Sequence, residues 1–323
     1  MNIDEMTLAR GRLAIEEASR SFLFFANVNL IDFGVPERGE QVAENELSIR
    51  FHVQRKLSGF ALENAIESGQ TSYIPKYINN FSTDVIEGSY RPHRWSWWSG
   101  WQKPKLNQRS TRSSPMRGGI SISDANHQSY GTLGGLVFDR LNNDPMILSN
   151  WHVLAADWGA LPGLRIYQPG RLDGGGYADT VATLTRDAMS VNLDAAVATL
   201  NGDRSLINDQ YGLGSVQGVS QAHIGMEVVK SGRRTNITFG QVTGVGGIAS
   251  MNYGALNRVI REVVTIDQRS NFEEVSAPGD SGSWWLDSTT REAIGLHFAG
   301  SNLPERALAM DMSSVLHALD VIL

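Results

Sequence analysis

Pro278-Gly279-Asp280-Ser281-Gly282-Ser283 lies between a polar loop and the apolar run Trp284-Trp285-Leu286. A serine hydroxyl is a weak nucleophile at neutral pH. It needs a base, a group that orients the base, and donors for the oxyanion that forms. Glycine on both sides of Asp280-Ser281 permits a tight turn that Cβ-bearing residues resist. Such a turn aims the N–H groups of Gly279 and Ser281 inward as oxyanion donors, each worth roughly 2.7–4 kcal/mol in such sites. Upstream, Leu148-Ser149-Asn150-Trp151-His152 reads as a strand end, and Val153-Leu154-Ala155-Ala156 as one helical turn. A histidine fixed there can serve as general base. An aspartate between the two segments would complete the set.

The composition bounds the answer. The 323 residues are enough for two or three domains. A net charge of −6 gives no reason to expect nucleic acid or an anionic membrane as partner. The chain has no cysteine, which leans towards a reducing compartment. Met1-Asn2-Ile3-Asp4-Glu5 does not open like a secretion signal, so a cytoplasmic protein is expected. The seven histidines (His52, His93, His127, His152, His223, His297, His317) do not cluster at ligand spacing, so neither metal nor cofactor is expected.

Three regions follow along the chain. Residues 1–92 read as a small α+β domain. It has a helix over Glu5–Arg20, strands over Ala26–Phe33 and Leu47–Gln54, and a short helix from a Ser58 cap to Ile66. His52 falls on the polar side of its strand and is expected at the surface. Residues 93–117 hold Trp95, Trp97, Trp98 and Trp101 and then a basic stretch, read as a linker whose tryptophans pack on a neighbour. From Gly118 to Leu323 many short apolar strands are separated by turns, in two groups divided near 201–212, before a terminal helix near 313–319.

The segments around His152 and Ser281, in that order, resemble the chymotrypsin-like serine peptidases over about 118–312. The resemblance implies a mainly β fold of two six-stranded antiparallel β-barrels. It places the aspartate at Asp194, which opens the apolar strand Ala195-Ala196-Val197-Ala198. Asp157, Asp173, Asp179 and Asp187 are rivals, but none opens so clear a strand. Asp194 would then fix the His152 tautomer. The implied activity is endopeptidase hydrolysis through an acyl-enzyme, with a protein or peptide as substrate. The alternatives are a catalytically idle scaffold of the same fold and an esterase. The Gly-x-Ser-x-Gly elbow of α/β-hydrolases is absent around Ser281.

Segments such as Gly118-Gly119-Ile120-Ser121-Ile122 and Gly295-Leu296-His297-Phe298-Ala299-Gly300 also resemble the intracellular bacterial and plant trypsin-like group that includes the narrow-leaf protein. That group implies a homo-oligomer. Resemblance to the α-lytic-like enzymes makes Lys230, in Val229-Lys230-Ser231-Gly232, the partner of Asp280. That pairing would remove any need for a new N-terminus. In the family the residue six before the nucleophile floors the specificity pocket, which gives Val275 here. Glutamyl endopeptidases carry a histidine at the place of His297. Together with Ser276, Gly300 and Ser301 this implies a preference for Glu or Gln before the scissile bond. His297 also reads as an ordinary buried strand residue.

Overall fold

The computed structural model describes residues 3–38, 41–42, 46–92, 95–96, 107–254, 256–270 and 274–323. The N-terminal part begins with helix α1 (Glu5–Phe22), capped by the Asp4 carboxylate on the Thr7 N–H at 2.9 Å. Strands β1 (Val28–Gly34) and β2 (Ser48–Val53) pair antiparallel, helix α2 (Gly59–Glu67) follows, and β3 (Phe81–Glu87) lies parallel to β2. Ser58 precedes α2 but makes no side-chain cap bond. The buried stripe Ala14, Ile15 and Ala18 of α1 packs with Ile31, Phe33, Ile49 and Phe51. A two-residue strand, β4 (Arg91–Pro92), closes this part.

The first barrel is built from β5 (Ser121–Asp124), β6 (Ser129–Thr132), β7 (Gly135–Asp139), β8 (Pro145–Ser149), β9 (Arg165–Tyr167), β10 (Thr180–Asp187) and β11 (Ala196–Leu200). Pairing runs β6-β5-β9-β10-β11-β8-β7. Strands β6 and β7 are consecutive, separated only by Leu133-Gly134, so the path of seven strands returns on itself there. Ile122, Ile147, Leu148, Ile166, Val181 and Val197 are fully buried and belong to one hydrophobic cluster.

The second barrel uses β12 (Glu227–Gly232), β13 (Asn236–Asn252), β14 (Asn257–Asp267), β15 (Trp284–Asp287), β16 (Ala293–Asn302) and β17 (Glu305–Asp311). The order β12-β15-β16-β17-β14-β13 closes through a β13–β12 pairing. The architecture is therefore mainly β and two-barrelled. Helix α3 (Trp151–Leu154) follows β8, and α4 (Met312–Ala318) follows β17 with Asp311 as its cap.

The N-terminal strands do not form a sheet of their own. Strand β13 is 17 residues long. Its first half closes the barrel against β12, and its second half pairs with β1 from Leu30↔Ala249 to Gly34↔Gly244. The barrel sheet thus runs on through β1, β2 and β3.

His52 departs from its expected place at the surface, for it is fully buried. Alternation along β2 does not mark a solvent face, because its polar side is taken up by a network along the sheet and by Tyr90. Asp32 accepts from Arg50 Nε at 2.7 Å, from Arg50 Nη2 at 2.6 Å and from Thr265 Oγ1 at 2.6 Å. His52 Nε2 lies 3.2 Å from the same carboxylate, and His52 Nδ1 is 2.6 Å from the Tyr90 hydroxyl. Burial pushes the His52 pKa down to about 4 despite Asp32 beside it, so the ring is neutral at pH 7. A Cβ on Gly244 would stand 2.0 Å from Arg50 Nη2, so only glycine lets this ion pair lie against β13.

Trp97, Trp98 and Trp101 of the expected linker lie outside the described residues. Trp95 is described as backbone, paired with Tyr130 of β6.

Candidate active site

The structure brings His152 and Asp194 into direct contact, whereas the Ser281 hydroxyl makes no hydrogen bond to His152. His152 is in the single turn of α3, immediately after β8, and the Leu154 N–H bonds to the Asn150 carbonyl at 3.0 Å. Asp194 sits in the loop before β11, within the first barrel. The two residues meet directly: His152 Nδ1 is 2.5 Å from Asp194 Oδ2. The His152 backbone N–H donates to the other carboxylate oxygen at 3.1 Å, and Asn150 Nδ2 donates to the Asp194 carbonyl at 2.7 Å. The ring therefore has its Nδ1 proton held and its Nε2 aimed elsewhere. Nε2 is buried and has no partner among the described residues.

Ser281 comes from the loop before β15 of the second barrel. Its carbonyl accepts from Thr132 N of the first barrel at 2.7 Å, and Gly282 N donates to the His297 carbonyl at 3.0 Å. The loop is thus stitched to both barrels. Gly279 has φ +110° and Gly282 has φ +95°, left-handed values that glycine accepts without strain. Among the described residues, neither the Gly279 N–H nor the Ser281 N–H has an acceptor. Ser281 Oγ donates to the Phe298 carbonyl of β16 at 3.3 Å. Ser281 is fully buried and His152 is 2% exposed.

Asp280 points the other way, into the second barrel. Its carboxylate accepts from Lys230 Nζ at 2.9 Å, Thr235 Oγ1 at 2.6 Å, and the N–H groups of Arg234 (2.8 Å), Thr235 (3.0 Å) and Ala277 (3.1 Å). Burial works to raise its pKa, but Lys230 and these bonds hold it well below the usual carboxylate range. Burial lowers the Lys230 pKa, and Asp280 opposes that.

The residues assigned to substrate binding sit around this loop. Val275 is fully buried, with its carbonyl bonded by Thr238 Oγ1 at 2.7 Å. The N–H groups of Val275 and Ser276 both donate to Glu305 Oε1, at 2.8 and 3.2 Å. Ser276 Oγ is buried and has no partner among the described residues. His297 is fully buried on β16, edge-on to Trp285 at 6.3 Å between ring centroids. Ser301 is 6% exposed and accepts from Leu303 N at 3.4 Å. Gly300 is paired antiparallel with Arg91, and Ala299 with Pro92. Beside His152 a cleft of about 820 Å³ opens, walled by Tyr90, Trp151, Trp158 and Tyr253.

Solved structures that resemble the chain are serine proteases. Cellulomonas bogoriensis chymotrypsin is 19% identical (TM-score 0.48), over 64% of this chain and 97% of that one. A Nocardiopsis protease is 17% identical (TM-score 0.48), over 64% and 97%. A glutamic acid-specific serine protease, which uses a histidine triad in substrate binding, is 21% identical (TM-score 0.47), over 64% and 100%. No family model matches the chain, and no curated protein matches it.

Sequence reasoning missed four groups here. Asn150 and Tyr253 hold Asp194, Thr235 holds Asp280, and Glu305 holds the backbone at Val275 and Ser276. Asn150 stands two residues before His152, a local clue. The others arrive from distant strands and leave no local pattern. Among the described residues no group of three metal-binding side chains occurs, and no helix is long and apolar enough to cross a membrane.

Proposed function

We propose that the protein is a serine endopeptidase in which Ser281 is the nucleophile, His152 the general base and Asp194 the group that orients it. The observation that carries this reading is the His152–Asp194 contact at 2.5 Å together with a partnerless, buried Nε2. A base whose Nδ1 proton is held by a carboxylate presents Nε2 as acceptor. Rotation of the Ser281 hydroxyl from the Phe298 carbonyl towards Nε2 would start the reaction. Ser281 Oγ attacks the peptide carbonyl and its proton passes to His152. The Gly279 and Ser281 N–H groups receive the oxyanion. His152 then returns the proton to the leaving amine, and water repeats the sequence on the acyl-enzyme. The scaffold alternative leaves the unpartnered N–H groups of Gly279 and Ser281 without a purpose.

The same reading places Val275, Ser276, His297, Gly300 and Ser301 around the side chain before the scissile bond, with Glu or Gln preferred. The carboxylate of Glu305, beside Val275 and Ser276, favours the neutral glutamine of the two. The compartment is proposed as the cytoplasm, since no cysteine is present to need an oxidising one.

The test is acylation itself. A fluorophosphonate probe should modify the intact protein once, and mass spectrometry of the digest should place the adduct on Ser281. An adduct elsewhere, or none under conditions that label a control protease, refutes the assignment.

A further inference from the structure

We propose that Tyr253 is a positioning residue for the peptidase chemistry, holding the Asp194 carboxylate in the orientation that His152 requires. The inference rests on the reading of His152, Asp194 and Ser281 just given. Strands β13 and β14 form a long hairpin that leaves the second barrel and reaches the first. Near its end Arg261 N donates to the Asn192 carbonyl at 3.0 Å, two residues from Asp194. Tyr253 is in the turn, where its N–H bonds to the Leu256 carbonyl at 2.8 Å. Its hydroxyl donates to Asp194 Oδ2 at 2.6 Å, the same oxygen that His152 Nδ1 meets.

Burial and the adjacent Asp194 charge raise the Tyr253 pKa well above its ordinary value, so the phenol keeps its proton and donates. The ring stands edge-on to Trp151 at 6.1 Å and 6.2 Å from the His152 ring. One barrel therefore carries the base and its carboxylate, while the other supplies the hydroxyl that fixes that carboxylate. Sharing Oδ2 between two donors also draws charge from the His152 side. Without the hydroxyl, the carboxylate would hold the imidazolium more strongly and turn more freely.

Tyr253→Phe removes only that hydroxyl. The expected result is a three- to tenfold loss in kcat on a peptide substrate, of the order of one lost charge-assisted hydrogen bond, with KM unchanged. The acid limb of kcat/KM should move to higher pH. An NMR titration of the His152 ring should move the same way, and it needs no turnover. An unchanged kcat, or a His152 pKa that stays or falls, overturns the proposal. Fluorophosphonate labelling of the wild type at Ser281 reports separately on the peptidase reading.

A different observation carries a second inference. We infer that Arg91–Pro92 competes with substrate for the edge of β16. Extended peptides bind proteins by adding a strand to a free sheet edge. Strand β15 pairs with β16 only up to Leu296, so the side of β16 beyond it is such an edge. Arg91 and Pro92 already lie antiparallel to Gly300 and Ala299 there. The neighbouring Phe298 carbonyl holds the Ser281 hydroxyl, and Ser281 is fully buried. The chain's own strand thus stands where an extended substrate would pair, and substrate must displace it.

The double variant Arg91→Gly, Pro92→Gly loosens this strand, because glycine adds freedom to the unpaired state. KM for a peptide should fall roughly fivefold with kcat unchanged, and the fluorophosphonate should label faster. Amide exchange over 297–302 reads the pairing itself. Faster exchange with KM and labelling unchanged, or a raised KM, overturns the competition. Absence of labelling in both proteins refutes the peptidase reading instead.

Discussion

Asp194→Asn is expected to lower kcat on a peptide substrate by roughly 10⁴-fold while leaving the fold intact. The carboxylate does two things that an amide cannot do together. Oδ1 takes the His152 backbone N–H, and Oδ2 accepts from both His152 Nδ1 and the Tyr253 hydroxyl. An asparagine that keeps the backbone bond through its one oxygen places its NH₂ where Oδ2 was, facing both His152 Nδ1 and the Tyr253 hydroxyl. That forces Nδ1 to accept and puts the ring proton on Nε2, so that Nε2 would meet Ser281 as a donor. A base in that tautomer cannot take the serine proton. The measurement is steady-state turnover of wild type and variant, with thermal unfolding as the control for folding. A loss smaller than tenfold with an unaltered melting curve would show that Asp194 does not orient the base.

Lys230→Met is expected to destabilise the protein by about 3–5 kcal/mol, the usual cost of leaving a buried charge without its partner. Both side chains of the Lys230–Asp280 pair are fully buried. Asp280 keeps the Thr235 hydroxyl and three backbone N–H groups after the change, which places the effect towards the lower figure. Adding Asp280→Asn to Lys230→Met should recover much of the loss, since a neutral amide needs no cation. Denaturant midpoints of the three proteins decide the point. If the single variant is as stable as wild type, Asp280 draws its stabilisation from hydrogen bonds alone.

The short-range part of the site was legible in the chain. Gly279 and Gly282 announce a turn with positive φ, and the strand end before His152 announces a fixed side chain. The Asp194 segment was readable because an apolar strand follows it directly. The barrels were legible as two groups of short strands. What escaped was set by partners far along the chain. The Leu30↔Ala249 pairing joins residues more than two hundred apart, and nothing near either one signals the other. His52 was misplaced for the same reason: alternation reports the period of a strand but not what covers its second face. Tyr253 stands in an unremarkable turn, Asn252-Tyr253-Gly254, whose meaning depends on where a long hairpin ends.

Strand β13 gives the first half of its length to the second barrel and the rest to β1. Cutting the gene at the start of the barrels would therefore strip a neighbour from β13 and bare a row of unsatisfied amides and carbonyls, a template for clumping. The leading ninety residues are better regarded as masonry than as an attachment. A lineage could not shuffle them off, or graft the two barrels onto another protein, without first devising a new way to finish that wall.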